Sequence, residues 1–179
     1  MADLLVETVD EFGLGGASVG AGRAHEPPGL LHRAMSLVVV DGAGFVLLQR
    51  RAADKATFAS RWDVSCSGHP PPGQDAARTA VVRAYEEIGL TAVVAEPVGC
   101  LRRRMRDRSC GRVEHVWHHL FLAALGRPAQ VTVDPSEVAD VRWAEIGDAL
   151  AASARTPRDY TPWFAGTLTS AVASAVLLS

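Results

Sequence analysis

The sequence predicts a single α+β domain with a mixed sheet. Three observations carry that expectation. Short runs of β-branched residues alternate with turn signals, most clearly where Asp41-Gly42 separates Met35–Val40 from Phe45–Gln49. One long helical pattern, Asp75–Ile88, lies between strand-like segments. No repeat or linker interrupts the 179 residues, so the domain is read as 1–179.

Taken in order, Leu4–Val9 reads as a strand and Gly13–Gly16 as a glycine-rich loop. His25-Glu26-Pro27-Pro28-Gly29 breaks regular structure, because Pro supplies no backbone donor and Gly leaves the chain free to turn. Met35–Val40 and Phe45–Gln49 form the expected hairpin, followed by a charged turn from Arg50 to Lys55 and a short strand within Trp62–Ser67. Asp75–Ile88 places Ala77, Ala80, Val81, Ala84 and Ile88 on one helical face, and Gly89 supplies the stop. Val93–Leu101 and Val113–Leu122 read as an antiparallel pair joined by a basic loop from Arg102 to Arg112. Val138–Trp143 is a further strand, Ala144–Ala154 a short helix, and Pro162 opens a last helix. That helix is too short and too rich in Ser and Thr for a membrane span, so a buried role is expected.

Composition excludes several classes. With 48% apolar and 21% charged residues, the chain can bury a core and is not disordered. A net charge of −2 and 6% aromatic residues argue against a nucleic-acid binder. Three cysteines without paired metal spacing suit a reducing compartment, and the acidic N-terminus lacks the basic region of a secretory signal, so a cytoplasmic location is expected. Seventeen of the eighteen basic residues are Arg, which codon bias explains, and Lys55 alone is Lys.

Chemistry-bearing residues concentrate in Ser65-Cys66-Ser67-Gly68-His69-Pro70 and in the helix ending Arg83-Ala84-Tyr85-Glu86-Glu87-Ile88-Gly89-Leu90. Arg83 and Glu87 share a helical face. On spacing alone they are either a surface ion pair or a guanidinium and carboxylate aimed at a metal-bound phosphate. The segment from Gly68 to Leu90 resembles the Nudix box GX5EX7REUXEEXGU, where U is aliphatic. Gln74 stands where the box has Glu, and Val82-Arg83 where it has Arg-Glu.

Over nearly its whole length the chain resembles the type I isopentenyl-diphosphate isomerases, a Nudix branch with an eroded box. The match runs through His25 and His32, Gln49-Arg50-Arg51, Lys55, Trp62, and Gly68-His69-Pro70. It continues through Arg83 and Glu87, Gly111-Arg112-Val113-Glu114, Ser136-Glu137-Val138, Arg142-Trp143 and Thr161-Pro162-Trp163. The resemblance implies a Nudix-type α/β/α sandwich. It also implies a divalent metal, Zn²⁺ or Mn²⁺, on His25, His32, His69 and Glu114, a donor set that suits those ions. Glu87 matches the carboxylate that holds Mg²⁺ on a prenyl diphosphate substrate, and Arg51, Lys55 and Arg83 match basic groups around that diphosphate. Trp163 matches the aromatic ring beside a tertiary carbocation, a contact that stabilises by about 2 kcal/mol when dry.

Three positions depart from the family. Ser67 stands where the family has its catalytic Cys; Cys66 is one residue early and, on a strand, faces the other way. Val116 replaces the second Glu of the family's Glu-x-Glu. Arg104 replaces a Tyr that assists proton transfer. Strand alternation places Glu114, Val116 and His118 on one face, with His115 and His119 on the other, so His118 is the expected partial replacement, as ligand or as acid. The matches that bind substrate survive and those that move protons do not. Isomerisation of isopentenyl and dimethylallyl diphosphate is the default expectation. A protonation-initiated prenyl cyclase, a Nudix diphosphate hydrolase and a non-catalytic binder stay open.

Overall fold

The computed structural model describes residues 4–177, with side chains through 174. β3 (His32–Asp41) organises the sheet. It runs parallel to β8 (Val113–Leu125) from His32↔Val116 to Asp41↔Leu125, and antiparallel to the short β6 (Cys66–Gly68). β7 (Glu96–Arg106) extends the sheet beyond β8. β4 (Phe45–Arg51) touches β3 only at Val40↔Val46, then pairs with β9 (Val138–Glu145) and with the two-residue β5 (Trp62–Asp63). β1 (Leu5–Val9) pairs with β2 (Gly15–Gly20) and meets β3 at Thr8↔His32.

The alternation of β3 creates two cores. Met35, Leu37 and Val39 face α2 (Ala76–Ile88), packing with Ala80, Ala84 and Ile88. Val38 and Val40 face the opposite layer, where Phe164, Leu168 and Ala171 of α4 (Phe164–Leu177) and Ala149 of α3 (Ile146–Arg155) bury their apolar stripe. This is an α/β/α sandwich around a mixed sheet. No helix among the described residues is long and apolar enough to cross a membrane.

Local chemistry fixes the boundaries. Asp75 caps α2 by accepting from the Arg78 amide at 2.8 Å, and Gly89 ends it at φ 67°, a left-handed conformation that costs Gly little. Asp41 Oδ1 accepts from the Ala43 and Phe45 amides and shapes the hairpin loop.

Several expectations change. Gly15 and Gly16 belong to β2, because β1 offers an edge to pair with and glycine lets the strands close; a Cβ at Gly16 would lie 2.9 Å from Thr8 Oγ1. A short helix α1 (Ala21–Ala24) precedes His25. Trp62–Ser67 divides into β5 and β6. The segment read as a basic loop from Arg102 is strand through Arg106, since its pairing with β8 continues to Arg106↔Val113. The predicted short helix starts at Ile146, with Glu145 as its cap. Of the last residues, 178 and 179 lie outside the described ones.

Candidate active site

The site forms where β3 and β8 begin and β6 ends. Parallel pairing sets His32 beside Val116, and the antiparallel pair Met35↔Gly68 brings His69, just past β6, to the same place. His25, capping α1, is tied to the start of β8 by the Val113 amide, which donates to the His25 carbonyl at 2.9 Å. Residues far apart in sequence thus meet. The ligand atoms of His25, His32, His69 and Glu114 all lie within 4.8 Å of one another.

Each imidazole is oriented by its Nδ1, which reaches a backbone carbonyl: Ala21 at 2.5 Å for His25, Leu30 at 2.8 Å for His32 and Arg33 at 3.1 Å for His69. With Nδ1–H donating, the Nε2 lone pairs point inward. The Nε2 atom of His32 is buried without a hydrogen-bond partner, and that of His25 has the Glu114 carboxylate beside it. Glu114 faces all three, with Oε1 3.0 Å from His25 Nε2 and Oε2 3.9 and 3.8 Å from His32 and His69. Thr57 Oγ1 donates to Glu114 Oε1 at 2.9 Å. Buried ring nitrogens around one carboxylate, one of them orphaned and each ligand braced by a further hydrogen bond, fit a divalent cation. The four are a candidate metal site.

Electrostatics agree with that geometry. Burial alone would raise the Glu114 carboxyl, but the hydrogen bond from His25 and the surrounding imidazoles hold it well below the usual carboxylate range. Burial, with His69 nearby, pushes His32 down to about 3. Burial also lowers His69. His25 rises despite burial because it hydrogen-bonds to the Glu114 charge.

A cavity of about 800 Å³ opens beside this group. Nine of the eleven residues singled out from sequence line it: His25, His69 and Glu114 of the candidate metal group; Arg51, Lys55 and Arg83; and Ser67, His118 and Trp163. His32 and Glu87 are buried behind its wall. Val116 lines it as well, where a second carboxylate was expected from the family.

The basic groups are not idle. Lys55 is paired with Glu137, and Arg83 Nη2 reaches the same Glu137 oxygen at 3.1 Å and Glu87 Oε1 at 2.6 Å. Arg51 is committed to its neighbouring loop: Nε and Nη2 donate to the carbonyls of Phe58 and Thr57, and its guanidinium carbon lies 5.8 Å from the Trp163 ring centre. Arg104 does not line the cavity; it donates to the Pro28 carbonyl at 3.0 and 2.7 Å.

Ser67 faces the cavity, whereas Cys66 is fully buried against Leu37 and α2, with its thiol pushed well up by burial. His118 is not among the four clustered ligands. Its Nε2 lies 2.8 Å from Ser36 Oγ, which lies 2.7 Å from Ser67 Oγ. Burial, aided by Arg103, pushes His118 down to about 3, so it is neutral near pH 7. The sign of the resulting stability effect is definite. The unfolded imidazole takes a proton below about 6.5 and the folded one only near 3, so stability falls as pH drops through that window. In the metal-free protein, the urea midpoint should fall between pH 7 and pH 5, and His118→Gln should flatten that fall. An equal fall in both proteins would assign it to other groups.

Sequence reasoning passed over Ser36, Thr57, Asp63 and Glu137 as functional groups. Two of them left a signal: Glu137 lies in the matched Ser136-Glu137-Val138, and Asp63 is an acid between apolar Trp62 and Val64.

An α/β/α sandwich with its chemistry at one end of a mixed sheet, and a helix after Gly68 that carries Arg83, Glu86 and Glu87, defines a Nudix domain, and the NUDIX domain family matches residues 30–164. Within that class the chain belongs to the isopentenyl-diphosphate isomerase family. It is 43% identical over 163 residues to the isopentenyl-diphosphate Delta-isomerase of Nocardia farcinica, covering 91% of each chain. It is 33% identical to that of Streptomyces coelicolor, covering 94% of this chain and 83% of the relative. Among solved structures, DR0079 from Deinococcus radiodurans shares the fold with a TM-score of 0.73 at 16% identity, covering 93% of this chain and 98% of that one. The MutT protein from Methanosarcina mazei does so with a TM-score of 0.64 at 17% identity, covering 81% and 95%.

Proposed function

We propose that this chain, as one domain over 1–179, acts on an isoprenoid diphosphate by protonating its carbon–carbon double bond. Interconversion of isopentenyl and dimethylallyl diphosphate is the default reaction. The observation that carries this reading is that Trp163 and Ser67 line the same cavity as Arg51, Lys55 and Arg83. A hydrolase has use for the cations but none for a cation-stabilising ring.

In this reading Lys55 and Arg83 exchange Glu137 for the diphosphate oxygens, with Arg51 framing the pocket floor. Glu87, held against Arg83, is the residue that would meet Mg²⁺ carried on the diphosphate. His25, His32, His69 and Glu114 would hold Zn²⁺ or Mn²⁺. Bound there, a divalent ion supplies positive charge close to the reacting centre. Ser67 presents its hydroxyl to the alkene, and the Trp163 face stabilises the tertiary cation, by about 2 kcal/mol in a dry site. Phe58 meets Trp163 edge-on at 5.1 Å and fixes the ring.

One observation favours a second product class. Val116 makes the wall more apolar, and about 800 Å³ is large for a five-carbon chain among pockets of about 300–1,000 Å³. A longer prenyl chain, cyclised after protonation, fits those features.

The test is incubation with Mg²⁺ and C5 to C20 prenyl diphosphates in D₂O. Carbon-bound deuterium with the diphosphate intact is expected, and product ring count separates isomerase from cyclase. Released phosphate without carbon-bound deuterium would assign a hydrolase. Binding without either would assign a non-catalytic binder.

A further inference from the structure

Between β4 and β5 the chain makes a closed loop over residues 52–60. The Arg51 amide donates to the Arg61 carbonyl at 2.9 Å, so the two ends of the loop meet. Lys55 and Thr57 of this loop line the cavity, and Phe58 is buried at 2% exposed. Two of its residues that are not glycine are left-handed, Phe58 at φ 49° and Ser60 at φ 60°. A side chain as bulky as Phe stays in that region only where its surroundings hold it there.

The surroundings of Phe58 do hold it. Its ring meets Trp163 edge-on at 5.1 Å, and Arg51 Nε donates to its carbonyl at 3.2 Å. Its amide donates to Asp107 Oδ2 at 2.6 Å. Asp107 directly follows β7, in the turn to β8, and is 1% exposed. That turn fixes the carboxylate in return. Oδ1 accepts from the Ser109 amide at 2.9 Å and the Ser109 hydroxyl at 2.7 Å. The Asp107 amide donates to the Arg112 carbonyl at 2.9 Å, and its carbonyl accepts from the Gly111 amide at 2.8 Å. Every hydrogen-bonding group of Asp107 is thus engaged, and one of them reaches across to the loop.

Holding Phe58 also sets its neighbour. Thr57 Oγ1 donates to Glu114 Oε1 at 2.9 Å, and Glu114 is the second residue of β8, just beyond the turn that holds Asp107. The contacts close a circuit: Asp107 holds Phe58, Thr57 beside it holds Glu114, and β8 leads back to the turn. Asp107 itself does not line the cavity and is not among the four clustered ligands.

We infer that Asp107 is a positioning residue for the candidate metal group, acting through Phe58 and Thr57 to orient the Glu114 carboxylate. The inference rests on the proposed function only for the metal at Glu114. Without the Asp107 carboxylate, the Phe58 backbone relaxes to negative φ. The chain on either side of it turns, and Thr57 Oγ1 leaves Glu114. A ligand that has lost the hydrogen bond bracing it holds its metal less tightly.

The test is Zn²⁺ affinity, measured by competition with a chromophoric chelator and with no substrate present. Thr57→Val keeps the side-chain branching and removes the donor. It should weaken binding about 10-fold, the lower end of the loss when a group bracing a metal ligand is removed. Asp107→Ala should weaken it by a similar factor from outside the ligand group. The double variant should also be weaker by about 10-fold and not by about 100-fold, because both changes remove the same hydrogen bond. Losses that multiply overturn the inference, since a general loosening of the fold acts independently of Thr57. So does an Asp107→Ala protein with the parent's affinity. If Asp107→Ala does not fold, as judged by its melting transition, Asp107→Asn takes its place under the same criteria. Its amide keeps an acceptor for Ser109 and turns a second donor toward the Phe58 amide. Deuterium incorporation by the parent, with isopentenyl diphosphate and Mg²⁺ in D₂O, separates the two readings. A parent that shows the expected cycle but incorporates no deuterium overturns the proposed function and supports the inference. An active parent with multiplying losses overturns the inference alone, and a parent that binds no Zn²⁺ overturns both the metal assignment and the inference.

Discussion

In the proposed function, Glu114→Gln should abolish retention of a divalent metal and reduce turnover by at least about 100-fold, the upper end of the loss seen when even a residue bracing a metal ligand is removed. Glu114 is the only carboxylate among the four clustered ligands, and it faces all three imidazoles. An amide offers one oxygen without charge. The three histidines would then have only their backbone carbonyls to hold them, and His25 would lose the hydrogen bond and charge that raise it. Elemental analysis after dialysis, beside the turnover assay, checks the result. Full metal occupancy in Glu114→Gln would remove Glu114 from the ligand set. The same residue links stability to acid in the metal-free protein. Its folded pKa is depressed, so its contribution is complete above about pH 4.5 and is lost as pH falls.

Arg83→Ala should cost stability as well as substrate binding, and the two losses should come apart. Glu87 is 1% exposed, with Arg83 Nη2 at 2.6 Å and Gln49 Nε2 at 3.4 Å as its polar neighbours. Removing the guanidinium leaves a buried carboxylate without its countercharge. Breaking a buried pair costs about 3–5 kcal/mol. Arg83 is itself 29% exposed, which admits water and argues for about 2–3 kcal/mol. Adding Glu87→Gln should return most of that stability, because the charge that needed compensation is gone. It should not return diphosphate binding, which in the proposed function needs both groups, so KM stays raised. Urea unfolding and steady-state kinetics on the four proteins of the cycle read both quantities. A double variant as unstable as Arg83→Ala would show that Arg83 stabilises by packing and not by charge.

Much of the fold was legible because its signals are local. The α2 pattern, its Asp75 cap and its Gly89 stop act within one or two helical turns, and the Asp41-Gly42 turn acts over a few residues. The errors fell where pairing decides. Gly15–Gly20 has no apolar alternation and becomes a strand only because β1 lies beside it. Arg102–Arg106 looks like a solvated run, yet β8 holds it in the sheet, and Arg103 turns inward to the Trp163 carbonyl and Thr167.

The candidate site divides in the same way. The sequence by itself determined which chemical groups this protein carries: the histidines, Glu114, the cations, Trp163, and Ser67 and Val116 in place of a thiol and a carboxylate. Residue identity and order suffice for that, since donor type and charge belong to the side chain. Only the tertiary structure decided which groups face one another. The β3–β8 and β3–β6 registers bring His32, His69 and Glu114 together and set Ser67 toward the cavity, and the β4–β9 pairing, with Arg51 opposite Val138, brings Lys55 to Glu137. It also placed Asp63 in full burial against Trp163, whose Nε1 donates to it at 2.8 Å. Burial and proximity set a group's acidity, and both come from strands that are distant in the chain.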